Sequence, residues 1–376
     1  MNTLTFLHFA DLHLGSSLGN LPVALAERVR EDQRDFLRSL PALCETHVAV
    51  LLFIAGDLFD NPYPAQELAD FVADCLSGLN DVDVYITPGN HDPLLSDSVW
   101  ETTDWPEHVH IFSENTQRFT NDQKRVRIDG AAFTSYYADE PLFTLPQEAF
   151  DGYRILMWHG DIATSGSRYN PLHPASPFLS SYDYIAMGHV HNPPNLPNLP
   201  AYPGFVLGRG FDEPGAGGVT LASLSDHGVT TRVLPVANTR FEIVEADIGG
   251  AETEEEAMAM IEKTLQDLAG SQEVSSWLSS CVLRLILTGG ISEDTSLNPK
   301  ILESRLLGLK PLQLQLRDRT RTALDPVQVA NEAGLRGLMA RNILERMRTG
   351  EDDAKLLRAF DLLLLAERKE ALAYED

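Results

Sequence analysis

The feature that most constrains this sequence is a series of five short apolar runs, each followed by aspartate, histidine or asparagine. They are predicted as β-strands and cover residues 3–10, 49–55, 82–87, 154–158 and 184–187. Segments with apolar residues three and four positions apart separate the first three runs and are predicted as helices over 21–47 and 65–79. Buried strands that alternate with helices are typical of a layered α/β domain.

Five polar motifs follow these strands: Asp11-Leu12-His13, Gly56-Asp57, Gly89-Asn90-His91-Asp92, His159-Gly160 and Gly188-His189-Val190-His191. Because ligand sites of open α/β sheets form at the carboxyl ends of the strands, we expect these side chains to converge. Any one motif by itself is more typical of a turn, a helix cap or a buried, hydrogen-bonded histidine. Five of them in order, each after an apolar strand, indicate a shared site instead.

The chemistry of this set points to metal ions. Oxygen and imidazole groups without cysteine favour manganese, iron, zinc or a related divalent ion over a structural zinc held by thiolates. Two such ions about 3.5–4 Å apart can hold a phosphate and activate a water for in-line attack. The sequence therefore predicts a site for phosphate chemistry with two metals.

The order and spacing of the motifs resemble the calcineurin-like metallophosphoesterases over about residues 3–236. His8 to Gly15 and Gly56 to Asp60 are similar to the DNA-repair exonuclease branch, which includes the bacterial SbcD and YhaO proteins. Gly208 to Gly215 is similar to a block of the YhaO-like group. The resemblance implies a four-layer α/β sandwich of two mixed β-sheets flanked by helices. It also implies two divalent ions, with manganese favoured and iron, zinc or magnesium as alternatives.

The resemblance also implies a role for each matching residue. The ligands would be Asp11, His13 and His191 for one ion, Asn90, His159 and His189 for the other, and Asp57 for both. His91 would face the scissile phosphate and stabilise or protonate the leaving oxygen after in-line attack by a metal-bound hydroxide. Asp92 would orient His91, with surface capping as the alternative. Asp60 could accept a hydrogen bond near the ligands or lie in an exposed turn, and His8 is expected at the edge of the core.

Three arginines are candidate substrate contacts: Arg125, Arg127 and Arg209. Arg125 and Arg127 stand on alternate positions of a predicted strand, so they would share a face and could flank the site. The Tyr136-Tyr137 pair could stack on nucleic-acid bases, although neighbouring aromatic residues more often pack internally.

The charge of the chain bears on its substrate. Its 376 residues carry a net charge of −26, which argues against a protein that coats nucleic acid through bulk charge. Residues 300–348 are a local exception, with ten Lys and Arg against five Asp and Glu. This excess indicates either a surface for DNA or a partner, or a solvated helix face.

Cysteine usage and hydropathy indicate the compartment. Cys44, Cys75 and Cys281 are odd in number and far apart, so neither a disulfide framework nor a thiolate metal site is expected, and a cytoplasmic location fits. The first residues lack the pattern of a signal peptide. No run reaches about 18 apolar residues, so no membrane span is expected.

Three regions are expected: a metallophosphoesterase domain over 1–238, a small α+β domain over 239–322 and a helical segment over 323–376. Ala359 to Leu365 is an apolar run that could dock a partner, pack internally or form a homodimer. The resemblance implies DNA as the substrate and a coiled-coil SbcC-like ATPase as the partner. Two alternatives stay open: a phosphoesterase acting on nucleotides or small phosphodiesters, and a mainly structural subunit of an ATPase–nuclease complex.

Overall fold

The computed structural model describes residues 3–113, 116–143, 149–163, 165–176, 178–193, 200, 202–292, 297–323, 326–350, 355–357, 359–360 and 363. The chain divides into two compact units, residues 1–241 and 242–376. The boundary expected after residue 238 lies close to this division, and the further boundary after residue 322 stays a prediction.

The first unit contains ten strands and four helices among its described residues. The strands are β1 (Leu4–Phe9), β2 (Leu51–Ile54), β3 (Asp83–Ile86), β4 (Val109–Ile111), β5 (Gln117–Asn121), β6 (Val126–Gly130), β7 (Tyr153–His159), β8 (Tyr184–Gly188), β9 (Gly218–Ser225) and β10 (Gly228–Pro235). The helices are α1 (Val23–His47), α2 (Gln66–Ser77), α3 (Val99–Thr102) and α4 (Phe178–Ser181).

Two mixed sheets form this unit. One has the strand order β10-β9-β1-β2-β3-β4, in which β1 to β4 are parallel and the hairpin β9-β10 pairs antiparallel with β1. The other has the order β5-β6-β7-β8, in which β6 to β8 are parallel and β5 is antiparallel. Parallel pairing brings the carboxyl ends of β1, β2 and β3 to one edge, and those of β7 and β8 to one edge of the second sheet.

Apolar side chains on both faces of the sheets explain why the strands read as continuous apolar runs. Phe6, Phe53 and Met157 belong to the core between the two sheets. Leu37 of α1 and Leu76 of α2 belong to a second core on the other face of the six-stranded sheet. A third cluster covers the outer face of the four-stranded sheet and includes Phe143, Trp158, Leu172 and Tyr182.

These layers confirm the expected α/β sandwich of mixed sheets flanked by helices. Long helices cover the six-stranded sheet, because α1 and α2 place apolar residues three and four positions apart on one face. In the described part of the chain, the outer cover of the four-stranded sheet includes the loop residues Phe143, Leu172 and Tyr182.

The second unit is a small α+β arrangement. Its strands are β11 (Arg240–Asp247), which begins at the boundary, β12 (Cys281–Thr288), β13 (Gly290–Ser292), β14 (Gln313–Asp318) and β15 (Arg321–Ala323). Its helices are α5 (Glu254–Ala269), α6 (Val274–Leu278), α7 (Pro299–Gly308), α8 (Pro326–Val329) and α9 (Leu335–Arg348). The sheet β11-β12-β14 packs α5, α6 and α7 through a core that includes Ile261, Trp277, Leu285 and Leu302.

Two sequence predictions concern the end of the chain. The basic residues of 300–348 lie on α7, β14, β15, α9 and their connections, where Arg305 pairs with Glu255. Most of the apolar run Ala359 to Leu365, together with 364–376, lies outside the described residues. Within the described residues, every helix is too short or too polar to cross a membrane.

Candidate metal centre

The polar motifs that follow β1, β2, β3, β7 and β8 meet in the first unit. The ligand atoms of Asp11, His13 and His191 all lie within 4.8 Å of one another, and the same holds for Asp57, His159 and His189. We call these the first and second ligand groups. The side-chain oxygen of Asn90 lies 3.0 Å from Nε2 of His159, so Asn90 adjoins the second group. The structure thus brings all seven expected ligands together.

Two imidazoles of the first ligand group face each other in a way that suits a bound cation. Nδ1 of His13 donates to Asp60 Oδ1 at 3.2 Å, and Nδ1 of His191 donates to Glu213 Oε1 at 2.7 Å. Their Nε2 atoms then carry lone pairs in the neutral rings, and these two atoms lie only 3.1 Å apart. Because metal–nitrogen bonds are about 2.0–2.1 Å long, this spacing fits two ligands of one ion.

The second ligand group shows the same convergence of acceptors. Nδ1 of His159 donates to the carbonyl oxygen of Ala55 at 2.8 Å, which leaves its Nε2 as an acceptor. That atom lies 3.0 Å from the Asn90 oxygen and 3.4 Å from Asp57 Oδ2. Nδ1 of His189 is buried and has no hydrogen-bond partner among the described residues. A divalent cation fits this set, because it would satisfy all of these lone pairs.

Asp57 lies between the two groups. Its Oδ2 atom is 3.4 Å from Nε2 of His159 and 3.7 Å from Nε2 of His13. Its Oδ1 atom accepts a hydrogen bond from the backbone N–H of His91 at 2.9 Å, which fixes the orientation of the carboxylate. This geometry fits the bridging position that the sequence motifs imply.

The pKa shifts of the buried groups also indicate that the centre favours positive charge. Burial raises the pKa of Asp11 to about 7. Burial alone would raise the pKa of Asp57 too, but the neighbouring imidazoles lower it below its ordinary value. Burial would lower the pKa of His159, yet the charge and hydrogen bond of Asp57 raise it to about 9. The buried carboxylates of Asp11 and Asp57 therefore need positive charge beside them, which bound divalent cations would supply.

The backbone at the ligands is strained. Asp11, His13, Asp57 and His189 have φ angles of 57°, 47°, 51° and 101°. Left-handed conformations cost a residue with a side chain about 1–3 kcal/mol and cluster at functional sites. Four of the seven candidate ligands therefore hold backbone conformations that cost free energy.

Gly89 shows how closely the backbone approaches the centre. A Cβ atom at this position would collide with the Asp57 carboxylate and would lie 2.6 Å from the Asp57 backbone nitrogen. The glycine lets the loop after β3 reach the loop after β2. Its role is steric, since a larger residue would displace the carboxylate of Asp57.

His91 and Asp92 are neighbours in sequence with different surroundings. His91 is exposed, and its ring centroid lies 4.7 Å from that of His13. Asp92 is fully buried, and its carboxylate accepts hydrogen bonds from the backbone N–H groups of Gly89 at 2.7 Å and Phe59 at 3.0 Å. These contacts contradict the expected one with His91 and also exclude surface capping. Asp92 instead joins the loops that carry the ligands.

Arg209 lies beside the first ligand group rather than free for substrate. Its guanidinium donates to Glu213 Oε1 at 2.6 Å and lies 3.8 Å from Asp60. Burial alone would raise the pKa of Glu213, but hydrogen bonds from His191 and Arg209 lower it to about 2. Sequence reasoning missed Glu213 as part of the site. Its signal was the block Gly208 to Gly215, where an acid stands among glycines after the last histidines.

The other two arginines lie away from the centre, which corrects the expectation that they flank it. The carbonyl of Arg125 accepts from the N–H of Tyr153, the first residue of β7, and Arg125 pairs with Asp151. His159 stands at the other end of β7, about 20 Å away at about 3.3 Å per residue. Arg127 is only 3% exposed and lies 3.7 Å from Asp129. Both arginines therefore lie at the four-stranded sheet and not at the metal centre.

Comparison with known proteins agrees with this centre. The sequence profile of the calcineurin-like phosphoesterases matches residues 4–193, just over half of the chain. The chain belongs to the calcineurin-like phosphoesterase family. The resemblance seen in the sequence motifs is therefore confirmed. Membership of this metallophosphoesterase family makes the protein a phosphoesterase by class, with divalent metals as its cofactors, and the two ligand groups are the candidate residues for them.

Two curated relatives of the calcineurin-like phosphoesterase family are similar to this chain. One is the uncharacterized metallophosphoesterase YhaO of Bacillus subtilis (strain 168), 28% identical over 309 residues that cover 78% of this chain and 74% of YhaO. The other is the SbcD subunit of the nuclease SbcCD from Staphylococcus epidermidis, 22% identical over 245 residues that cover 56% of this chain and 63% of SbcD.

Proposed function

We propose that this protein is a two-metal phosphodiesterase that hydrolyses DNA as an exonuclease, with manganese as the favoured ion. The observation that carries the proposal is the pair of ligand groups joined by Asp57, with the exposed imidazole of His91 beside them. The relative named as a nuclease subunit supports a nucleic acid as the substrate.

The residues would share the work as follows. Asp11, His13 and His191 would hold one ion, Asn90, His159 and His189 the other, and Asp57 both. When bound, the ions would polarise the phosphate and lower the pKa of a water molecule. His91 would stabilise or donate a proton to the leaving oxygen, since it is exposed next to His13. Asp92 would position His91 indirectly, by holding the backbone of Gly89.

A partner also belongs to the proposal. The staphylococcal relative is named as a subunit of the SbcCD nuclease. We extend this to an SbcC-like coiled-coil ATPase that binds the present chain in the cytoplasm, with the basic residues of 300–348 as a candidate surface. If reversing the charges of Arg317 and Arg319 abolishes co-purification of the ATPase, this surface is supported. Unchanged co-purification would exclude it as the binding surface.

The activity is tested with end-labelled linear DNA, Mn²⁺ and the full chain. We expect progressive loss of the label with wild type, and loss of cleavage with retained metal content in His91→Ala. Methyl p-nitrophenyl phosphate, a small diester, is the comparison substrate, because the net charge of −26 favours small substrates. Hydrolysis of this diester with intact DNA would replace the nuclease by a small-molecule phosphodiesterase. If the metal-loaded protein hydrolyses neither DNA nor the small diester, both enzymatic hypotheses are wrong. A mainly structural subunit of an ATPase–nuclease complex is then the remaining hypothesis.

A further inference from the structure

A row of three rings leads from the second ligand group to the protein surface. The ring centroid of Tyr169 lies 4.7 Å from that of His189, and the centroid of Tyr137 lies 5.8 Å from that of Tyr169. Tyr137 is 48% exposed. The guanidinium carbon of Arg168 lies 4.0 Å from the Tyr137 ring centroid, and its side chain is 61% exposed.

Backbone hydrogen bonds hold this row rigidly against the metal centre. The N–H of Ala138 donates to the carbonyl of Arg168 at 2.9 Å, and the N–H of Asn170 donates to the carbonyl of Ala138 at 2.8 Å. The N–H of Asp161 donates to the carbonyl of Tyr169 at 2.9 Å. Since Asp161 follows the His159-Gly160 motif directly, both tyrosines are tied to the end of the strand that carries a ligand.

Tyr137 combines exposure with a contact that leads to the metal centre. Tyr136 and Tyr137 are each about half exposed, but Tyr137 also contacts the ring of Tyr169, which contacts His189. Stacking of a base on an aromatic side chain contributes about 1–3 kcal/mol and does not depend on the overall charge. This matters in a protein with a net charge of −26, whose bulk surface repels nucleic acid.

We propose that Tyr137 and Tyr169, together with Arg168, form an aromatic platform that binds an unpaired nucleobase of the nucleic acid next to the scissile phosphate. The inference rests on the proposed phosphodiesterase function and names the part of the substrate that the site recognises. Arg168 contributes a cation that stacks on Tyr137, and its Nε also donates to Asp139 Oδ1 at 3.4 Å. A base held on the platform lies within about two ring spacings of His189, so its own phosphate reaches the metal centre.

Two esters with the same leaving group test the platform. Thymidine 5′-(p-nitrophenyl phosphate) carries a base, and methyl p-nitrophenyl phosphate does not. We expect the ratio of their kcat/KM values to favour the thymidine ester in wild type and to fall about tenfold in Tyr137→Leu, mainly through KM. Tyr137→Phe keeps a ring and should keep most of the preference. Tyr136→Leu is the matched control, because Tyr136 is 49% exposed and makes no ring contact among the described residues.

A binding measurement provides a readout that does not depend on turnover. Fluorescence of a single-stranded oligonucleotide with 2-aminopurine at its terminus should be quenched on binding to His91→Ala protein and to the same protein with Tyr136→Leu. The quench should be lost with Tyr137→Leu. Equal quenching and an equal substrate ratio in the Tyr137→Leu protein would overturn the platform. If wild type hydrolyses neither ester, the proposed function fails, and the quench alone then decides whether the platform binds a base.

Discussion

Glu213 accepts a hydrogen bond from Nδ1 of His191 at 2.7 Å, and this pair is one half of a polar network around the first ligand group. The other half is Asp60, which accepts from Nδ1 of His13. The guanidinium of Arg209 lies between the two carboxylates. Both imidazoles are therefore oriented by one arrangement of charges, so a change at either carboxylate affects the whole group.

Because of this polar network, we expect Glu213→Gln to weaken binding of one of the two ions. The glutamine amide would face the donors of Arg209, and the guanidinium charge would no longer be neutralised beside the metal. Loss of a partner that orients a ligand typically lowers metal affinity about 10–100-fold. Isothermal titration of metal-free protein with Mn²⁺ measures this directly. Asp212→Asn is the control, an exposed neighbour with the same chemical change, and two tight ions in Glu213→Gln would contradict the prediction.

Gly89→Ala should disable the centre through a single methyl group. The added Cβ would displace the carboxylate of Asp57, so we expect activity to fall at least about 100-fold, as misplacement by about 1 Å can cost that much. Metal content should fall in parallel. Gly19→Ala provides the comparison, because a Cβ there meets its nearest atom at 3.9 Å. Normal activity and metal content in the Gly89 variant would show that the loop after β3 can move to accommodate the added methyl group.

His91→Ala and Asp92→Ala should have different effects on the free energy of unfolding. Asp92→Ala leaves the buried N–H groups of Gly89 and Phe59 without their acceptor, at about 1–3 kcal/mol each, so the free energy of unfolding should fall by about 2–6 kcal/mol. Because His91 is exposed, His91→Ala should unfold like wild type. Urea denaturation measures both, with the exposed Asp81→Ala as the control. Equal stability of the two variants would show that the hydrogen bonds of Asp92 do not hold these loops together.

His8 should make stability depend on pH. It is fully buried between the Tyr184 hydroxyl and the Met187 carbonyl, and burial lowers its pKa to about 3. Between pH 6.5 and 3 the unfolded chain binds a proton that the folded chain does not, so His8 destabilises the folded state as the pH falls. From pH 7.5 to pH 5 this contribution is about 2 kcal/mol.

His8→Gln removes that contribution while it keeps a donor and an acceptor. We therefore expect the variant to lose about 2 kcal/mol less stability than wild type between pH 7.5 and pH 5, both measured with a chelator present. His227→Gln, at the exposed turn between β9 and β10, should follow wild type. Parallel curves for wild type and the His8 variant would show that His8 is protonated in the folded chain.

The sequence predicted the parts of the fold that depend on local patterns. β1, β2 and β3 are apolar on both faces and end at polar motifs, so both the strands and the ligands could be recognised. Strand β5 was not predicted, because Phe119 is its single apolar residue. Its antiparallel pairing with β6 stabilises it instead.

The remainder of the site depends on pairings between distant segments. Glu213 and His191 are 22 residues apart in sequence, and Asp92 and Phe59 are 33 residues apart, so the spacing within a motif does not reveal these pairs. Arg125 was misplaced for a related reason. Alternation along a strand predicts a shared face, but only the strand direction shows that this residue lies at the amino end, away from the ligands.

The strained backbone at the ligands has a consequence for how this protein matures. Four left-handed residues at about 1–3 kcal/mol each represent several kcal/mol, a large part of the net stability of an ordinary domain, about 5–15 kcal/mol. Ions that bind only the folded chain would offset this cost. We therefore expect metal supply during synthesis to raise the yield of folded protein, and growth in metal-depleted medium should lower soluble expression. Binding of the ions would in this way aid folding as well as catalysis.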